Sequence, residues 1–313
     1  MTGQAPAPPA TTGPGVPGSG VPGSGVTGAG VTGAGVTGAG VTGADVLDVD
    51  GVSVRIAGRD ILRDVRFTIG PGQFTGLIGS NGAGKTTLLR VILGLQAPTA
   101  GTVSVCGERH AARKGLIGYV PQKIQLDPDM PVRARDLVGL GLDGHRLGFA
   151  LPSRGRRQQV DEMLAAVGAA AFADERVGHL SGGEQQRVMI GHALISSPRL
   201  LLLDEPLANL DISSAQEIIA LLARISAERG VSVLISAHEM NPLLPVMDTV
   251  VYLADGRAAS GTTSEVVRSE VLSALYGHHV DVIRMHGRIL VVAGTDDGLE
   301  IPGLLPCDPD PAQ

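Results

Sequence analysis

The 313-residue chain has no tryptophan, and aromatic residues make up only 2% of it. Proteins that bind single-stranded nucleic acid usually stack bases on aromatic side chains, of which this chain has few. It also lacks an excess of basic residues, since its formal net charge is −6. Nucleic-acid-binding surfaces are usually basic. Together these two absences argue against a nucleic-acid partner.

Cysteine is also scarce, with only Cys106 and Cys307 in the whole chain. Their number and spacing fit neither a disulfide framework nor a metal-binding motif, so we expect a reducing environment. No uninterrupted apolar run has the length of a membrane span, although apolar residues are plentiful enough to build a core. The N-terminus does not combine a basic stretch with an apolar one, so we expect no secretory signal.

Residues 1–44 contain no charged side chain and are rich in glycine. From Val16 a pentapeptide repeats, first as VPGSG and then as VTGAG. Ordering such a segment is costly, and its isolated valines bury too little apolar surface to offset that cost. We therefore predict a disordered tail over 1–44, either a tether or a dispensable extension. A second flexible tail is expected at 294–313, where proline and aspartate are frequent.

The segment FTGLIGSNGAGKTTLLR, residues 74–90, carries the first chemical motif. It reads as a strand, a glycine loop and a helix, which is the context in which G-x-x-x-x-G-K-[ST] binds phosphate. Glycines let backbone N–H groups approach phosphate oxygens, and a helix start favours negative charge. Lys85 would contact the β- and γ-phosphates, and the Thr86 hydroxyl would bind Mg²⁺. The expected nucleotide-binding residues here are Gly79, Ser80, Asn81, Gly82, Ala83, Gly84, Lys85, Thr86 and Thr87.

Four consecutive leucines, residues 200–203, precede Asp204 and Glu205. A strand that is apolar on both faces is typical of the centre of a parallel sheet. Carboxylates buried at its end need a cation nearby, and a metal-bound triphosphate would supply one. We expect Asp204 to bind Mg²⁺ and Glu205 to orient and polarise the attacking water. Two surface acids at a strand end are the alternative.

A further apolar strand, residues 231–237, leads to His238. Open α/β sheets bind ligands at the carboxyl ends of their parallel strands. We therefore interpret His238 as a sensor of the γ-phosphate rather than as a structural histidine.

The segment SGGEQQR, residues 181–187, begins a long helix. Ser181 and Glu184 have the spacing of a capping box, which is a purely structural explanation. The intervening Gly182 and Gly183 are not needed for a cap and weaken the first turn. They would let an anion approach the helix N-terminus, so Ser181, Gly182, Gly183 and Glu184 are also expected to bind nucleotide.

Taken in order, these motifs resemble the nucleotide-binding subunits of ABC transporters over about residues 46–276. The matching segments are GSNGAGKT (79–86), Gln122, LSGGEQQR (180–187), LLLLDEP (200–206), ANLD (208–211) and His238. The resemblance implies an α/β fold, a P-loop NTPase of ABC type with a mixed sheet core and an N-terminal antiparallel β subdomain. The ATPase domain would span 45–278, with an inserted helical subdomain at about 123–179.

The resemblance also implies chemistry and partners. ATP and Mg²⁺ would be the cofactors, and the chain would be an ATPase that forms a head-to-tail homodimer with two ATPs sandwiched at the interface. Gln122 would couple Mg²⁺ and the water to the permease, and Asp211 would lie in a loop that contacts nucleotide. The expected catalytic residues are thus Lys85, Gln122, Glu205 and His238, and the expected Mg²⁺ ligands are Thr86, Gln122 and Asp204.

Finer similarity points to importers of divalent metals such as manganese and zinc, on IGYVPQ (117–122), SAHEMNPLL (236–244) and VLSALYGHHVDV (271–282). It implies integral membrane permease subunits, indirectly an extracytoplasmic substrate-binding protein, and a peripheral position on the cytoplasmic face of the cell membrane. A short β extension would occupy 279–293. Transport of another substrate, or a soluble ABC ATPase acting on ribosomes or chromosomes, are the alternatives.

One position departs from the family pattern. Near the first hairpin, family members commonly have an aromatic ring that stacks on adenine, whereas this chain has Ile56. Apolar contact replaces stacking only in part, so we expect weaker binding of the base. The histidines at 278, 279 and 286 invite a metal-sensor interpretation, but the two adjacent ones lack a third ligand at a recognisable spacing.

Overall fold

The first strands of the folded chain pair into an antiparallel sheet, as their alternating apolar residues predict. The computed structural model describes residues 45–109, 115–122, 131–143 and 153–293. This sheet has the order β2-β1-β4-β5 and consists of β1 (Leu47–Ile56), β2 (Arg59–Ile69), β4 (Ala100–Val105) and β5 (Glu108–Arg109). Ala57 and Gly58, both with positive φ, form the turn between β1 and β2.

A six-stranded sheet positions the motifs and has the order β10-β9-β3-β8-β7-β6. Its strands are β3 (Phe74–Ile78), β6 (Ile117–Val120), β7 (Leu200–Leu203), β8 (Ser232–Ala237), β9 (Thr249–Ala254) and β10 (Arg257–Gly261). All are parallel except β10, which runs antiparallel to β9 at one edge. Every residue of β7 and β8 is buried, as the uninterrupted apolar runs predict. The predicted α/β fold with a mixed sheet is confirmed.

The sheet separates two apolar cores because successive side chains of a strand point to opposite faces. Leu201 and Leu203 of β7 lie in the core on the helical side. Leu200 and Leu202 lie in the other core, which also contains residues of the antiparallel sheet. Each fully buried leucine contributes about 1.5–3 kcal/mol of hydrophobic stabilisation. The position of β7 is therefore fixed from both sides, and so is the point at which it ends.

The helices of the described residues are α1 (Lys85–Ile92), α2 (Ala134–Asp143), α3 (Arg154–Ala166), α4 (Gly182–Leu194), α5 (Ile212–Arg229), α6 (Thr263–Val266) and α7 (Ser269–Tyr276). The sequence pattern favours continuation of α3 to Ala171, but the helix ends at Ala166. Gly168 has φ +69, a left-handed conformation that stops a helix. None of these helices is both long and apolar enough to cross a membrane.

Two helices, α2 and α3, lie within the predicted helical subdomain and pack against α4. Other parts of that prediction, residues 123–130 and 144–152, lie outside the described residues. So do the predicted tails, 1–44 and 294–313.

The described chain ends in a hairpin of β11 (Val280–Met285) and β12 (Arg288–Ala293). Asn241 holds this hairpin through its side-chain amide. Its Nδ2 donates to the carbonyl of Ile289 at 2.9 Å, and its Oδ1 accepts from the N–H of Ile289 at 2.7 Å. The hairpin is therefore fastened to the segment that follows β8.

Candidate active site

The glycine loop joins the end of β3 to the start of α1, as the sequence predicts. Gly84 is the N-cap of α1 with φ 106, and no side chain caps this helix. The first N–H groups of α1 are therefore available to an anion. A Cβ at Gly79 would lie 2.3 Å from the carbonyl oxygen of Leu253, so only glycine fits there. The loop residues 80–82 are exposed, whereas 83–85 are buried.

Lys85, the first residue of α1, folds back over the loop and is only 5% exposed. Its Nζ donates to the carbonyl oxygens of Gly79 at 2.7 Å and Ser80 at 3.2 Å. The same nitrogen lies 3.3 Å from Oε1 of Glu205. The ammonium group thus lies where the loop, the helix start and the end of β7 meet.

Glu205 contacts two of the other predicted catalytic residues. Besides its ion pair with Lys85, its Oε2 accepts a hydrogen bond from Nε2 of Gln122 at 2.7 Å. Its backbone has φ 48, an unusual conformation for a residue other than glycine. Such a conformation costs on the order of 1–3 kcal/mol and is often found at functional sites. The side chain is held by contacts from the start of α1 and from the segment that follows β6.

Asp204 precedes Glu205 and is only 2% exposed. Its Oδ1 accepts a hydrogen bond from the hydroxyl of Ser236 at 2.9 Å. In the part of the chain that the structure describes, no basic side chain pairs with this carboxylate. A buried carboxylate without such a partner suits a bound cation, and the half-buried Thr86 offers another oxygen ligand.

Tyr119 of β6 is sensitive to the charge on Asp204. Burial raises the pKa of Tyr119 above its ordinary value, and the negative charge of Asp204 raises it further. The phenol therefore stays neutral beside the carboxylate at physiological pH.

His238 follows β8 and is exposed. It lines a cavity of about 760 Å³ together with Glu205 and Ser236. It also lines a second cavity, of about 480 Å³, together with Ser80 of the glycine loop. The histidine therefore lies at the carboxyl edge of the sheet, between the loop and the paired carboxylates.

The helix start at 181–184 forms the predicted capping box. Ser181 accepts from the N–H of Glu184 at 3.4 Å, and Oε2 of Glu184 accepts from the N–H and hydroxyl of Ser181, both at 2.8 Å. Ser181 and Gly182 are exposed. A Cβ at Gly182 would lie 3.4 Å from Leu210, so this segment lies beside the start of α5.

Asp211, another predicted nucleotide-binding residue, is the N-cap of α5. Its carboxylate accepts from the N–H of Ser214 at 2.9 Å and from the Ser214 hydroxyl at 2.7 Å. These hydrogen bonds hold the pKa of Asp211 below its usual range. The carboxylate is thus charged at neutral pH and fixed at the start of the helix.

The structure brings Lys85, Gln122, Asp204, Glu205 and His238 to one sheet edge. Sequence reasoning missed Ser236, which contacts both Asp204 and Glu205. The sequence signal that could have identified it is a serine near the carboxyl end of the largely apolar run SVLISA (232–237). Ile56, where the family resemblance would lead one to expect an adenine-stacking ring, is the last residue of β1 and is 44% exposed.

The family model for ABC transporters matches residues 62–208. The manganese transport ATP-binding protein MntB of Halalkalibacterium halodurans is 34% identical over 244 residues, which cover 78% of this chain and 97% of the relative. The zinc import ATP-binding protein ZnuC of Halorhodospira halophila is 36% identical over 230 residues, covering 73% of this chain and 82% of the relative.

Solved structures agree with these relatives. The structure of cbiO1 from Clostridium perfringens, part of the ABC transporter complex cbiONQ, matches with a TM-score of 0.64 and 27% identity, covering 74% of this chain and 93% of that one. A dimeric ATP-binding cassette in a post-hydrolysis state with ADP and phosphate matches with a TM-score of 0.60 and 28% identity. The match covers 69% of this chain and 98% of that one. Relatives this similar over almost their whole length show that the chain belongs to the ABC transporter ATP-binding proteins, which hydrolyse ATP to energise transport.

Proposed function

We propose that this chain is the ATPase subunit of an importer for a divalent metal ion, manganese or zinc. The names of the relatives support this cargo, since one serves manganese transport and another zinc import. The chain would lie on the cytoplasmic face of the membrane, bound to permease subunits. An extracytoplasmic binding protein would deliver the ion to the permease, so the cargo would not contact this chain.

The contact between Lys85 and Glu205 is the observation that carries the proposed chemistry. It supports a site in which Lys85 serves the phosphates and Glu205 serves the water at the same end of the glycine loop. ATP phosphates bind the N–H groups of the loop, of which 79–87 are the proposed contacts, and Lys85 turns to the β- and γ-phosphates. Glu205 then orients water and accepts its proton, while His238 contacts the γ-phosphate.

Thr86, Gln122 and Asp204 would hold Mg²⁺, which neutralises charge on the phosphates during transfer. The donor set fits this ion, because hydroxyl, amide and carboxylate oxygens are the ligands that Mg²⁺ prefers. Asp204 contributes a buried negative charge, and Gln122 is exposed at the end of its strand. Gln122 also reaches Glu205, so it can report the state of the site to neighbouring subunits.

A second copy of the chain would complete the site. Ser181, Gly182, Gly183 and Glu184 would contact the ATP of the partner subunit, with Asp211 nearby. Two observations support this arrangement: Ser181 and Gly182 are exposed, and their segment lies beside Leu210 at the start of α5. One of the similar structures is described as a dimer with ADP and phosphate.

The proposal is tested with Glu205→Gln, which keeps the shape of the side chain and removes the base. ATPase turnover should fall by about 10²–10⁴-fold, because general-base catalysis contributes about that much. Binding of ATP should remain, since the phosphate loop is unchanged. Cells that carry this variant should accumulate less manganese or zinc, measured by elemental analysis.

Glu228→Gln is the matched control, since Glu228 is an exposed glutamate on α5 away from the site. It should leave turnover and accumulation unchanged. Normal turnover in Glu205→Gln would contradict the assigned role of Glu205. Normal accumulation of both metals despite lost turnover would contradict the proposed cargo.

A soluble ABC ATPase acting on ribosomes or chromosomes is the competing function. Isolation of the protein from native membranes distinguishes the two. A polytopic permease that copurifies supports the transporter subunit, whereas ribosomes or DNA would favour the competitor.

A further inference from the structure

We propose that Ser236 is a positioning residue that holds both acidic residues of the site through one hydroxyl group. This positioning role rests on the roles proposed for Asp204 and Glu205, and it involves a residue that does not itself touch ATP. Ser236 is fully buried in β8. Its hydroxyl donates to Oδ1 of Asp204 at 2.9 Å and accepts from the N–H of Glu205 at 2.8 Å.

The register of the sheet explains why this residue reaches both acids. Strands β7 and β8 are parallel, with Leu203 opposite Ile235. One step further along, β8 continues to Ser236 while β7 gives way to Asp204 and Glu205. A hydroxyl has one proton to donate and lone pairs to accept, so a single serine can satisfy a carboxylate and an N–H group together. Alanine or valine at this position could do neither.

Each of the two hydrogen bonds fixes a different property. The bond to Oδ1 restrains rotation of the Asp204 carboxylate, and no side chain of the described residues donates to its other oxygen. The bond from Glu205 restrains a backbone with φ 48, which a residue with a side chain rarely adopts. Ser236 therefore orients a proposed Mg²⁺ ligand and the base that faces the water.

Ser236 also lies two residues before His238, which directly follows the same strand. A displacement of the histidine by the γ-phosphate would reach Asp204 and Glu205 through this short segment and its hydroxyl. The serine thus links the proposed sensor to the groups that carry out hydrolysis.

A purely structural role is the alternative, and the same strand offers a control for it. Ser232 is also fully buried in β8, and its hydroxyl also makes one accepted and one donated hydrogen bond. It accepts from the N–H of Gly72 at 3.0 Å and donates to the carbonyl of Gly70 at 2.9 Å. Ser232 lies at the amino end of the strand, away from Asp204 and Glu205.

The test compares Ser236→Ala with Ser232→Ala in the full chain. Loss of an outer-shell partner typically costs 10–100-fold in metal affinity or activity, so Ser236→Ala should lower kcat by about 10–100-fold. The KM for ATP should change little because the phosphate loop is intact. Ser232→Ala should keep the kcat of the unaltered chain even if its melting temperature falls as much. Equal kcat losses in the two variants would overturn the inference.

A second readout does not depend on turnover. In the Glu205→Gln background, the Mg²⁺ concentration at which ATP half-maximally raises the melting temperature is measured. Adding Ser236→Ala should raise that concentration about tenfold or more, whereas adding Ser232→Ala should not. An unchanged Mg²⁺ requirement with Ser236→Ala would overturn the inference.

Ser236→Thr covers the case in which the alanine variant fails to fold, because it keeps the hydroxyl. It should keep kcat and the Mg²⁺ requirement near those of the unaltered chain. A folded threonine variant with a 10–100-fold lower kcat and a raised Mg²⁺ requirement would overturn the inference. Failure of this inference is distinct from failure of the proposed function, which is tested in proteins that keep Ser236.

Discussion

At the scale of single residues, the glycine loop is constrained by packing as well as by its ligand. A Cβ at Gly79 would lie 2.3 Å from the carbonyl oxygen of Leu253, a backbone atom held in β9. Gly79→Ala should therefore lower the free energy of unfolding by about 1–3 kcal/mol, the usual cost of overpacking. Urea denaturation measures this change directly.

Gly155 of α3 provides the control because a Cβ there meets no atom within 4 Å. Gly155→Ala should leave stability unchanged or increase it by up to about 1 kcal/mol, since alanine is the better helix former. Equal urea midpoints for Gly79→Ala and the unaltered chain would contradict the packing argument.

Much of the site was predictable at this scale because its residues occur in contiguous motifs. The order of GSNGAGKT, LLLLDEP and His238 placed Lys85, Glu205 and His238 at one sheet edge. The contacts of Ser236 were not predictable, since they depend on which residue of β7 lies opposite Ile235. The left-handed backbone of Glu205 was also not predictable, because the sequence Asp-Glu-Pro does not require it.

At the scale of elements, the segment after β8 anchors the C-terminal hairpin. Asn241 makes both hydrogen bonds to the backbone of Ile289, as a neighbouring strand would. Asn241→Ala should remove this attachment and increase amide hydrogen exchange across β11 and β12, because lost hydrogen bonds favour local opening. Exchange measured by mass spectrometry would show the change, with β7 and β8 unaffected.

Gln158→Ala is the control for that experiment, since Gln158 makes an exposed hydrogen bond to Glu162 within α3. It should leave exchange in the hairpin unchanged. Unaltered protection of Ile289 in Asn241→Ala would show that other contacts hold the hairpin, such as the hydrogen bonds of β11 with Ser269 and Ser273.

Strands were predicted better than helix ends. Uninterrupted apolar runs identify β7 and β8, because a strand buried on both faces has no polar positions. The end of α3 depends on Gly168, and a glycine within an amphipathic pattern is compatible with either continuation or a stop. The attachment of the hairpin depends on contacts between residues far apart in sequence.

At the scale of the whole molecule, the proposed dimer predicts a change of mass with nucleotide. Glu205→Gln should dimerise in ATP and Mg²⁺, because ATP bound without hydrolysis keeps the two copies together. Adding Ser181→Arg should keep the protein monomeric, since a long cation would fill the exposed helix start. Size-exclusion chromatography with light scattering measures the mass in each case.

Ser153→Arg is the matched control, because Ser153 is also an N-cap serine whose hydroxyl accepts an N–H three residues later. It caps α3 instead of α4, so dimerisation should persist. A Ser181→Arg protein that still dimerises with ATP would contradict the proposed interface. A Glu205→Gln protein that stays monomeric at saturating ATP would contradict the dimer itself.

The ion pair between Lys85 and Glu205 has a consequence for ligand choice. A phosphate that approaches the loop meets a lysine that already has a counter-charge, so it must compete with a carboxylate for the ammonium group. Inorganic phosphate and nucleoside monophosphates bring few charges to that competition and reach only part of the loop. A triphosphate brings more charge and can occupy the helix N-terminus and Lys85 together. The carboxylate that we propose to serve hydrolysis would thus also screen the loop against the small phosphates that are abundant in every cell.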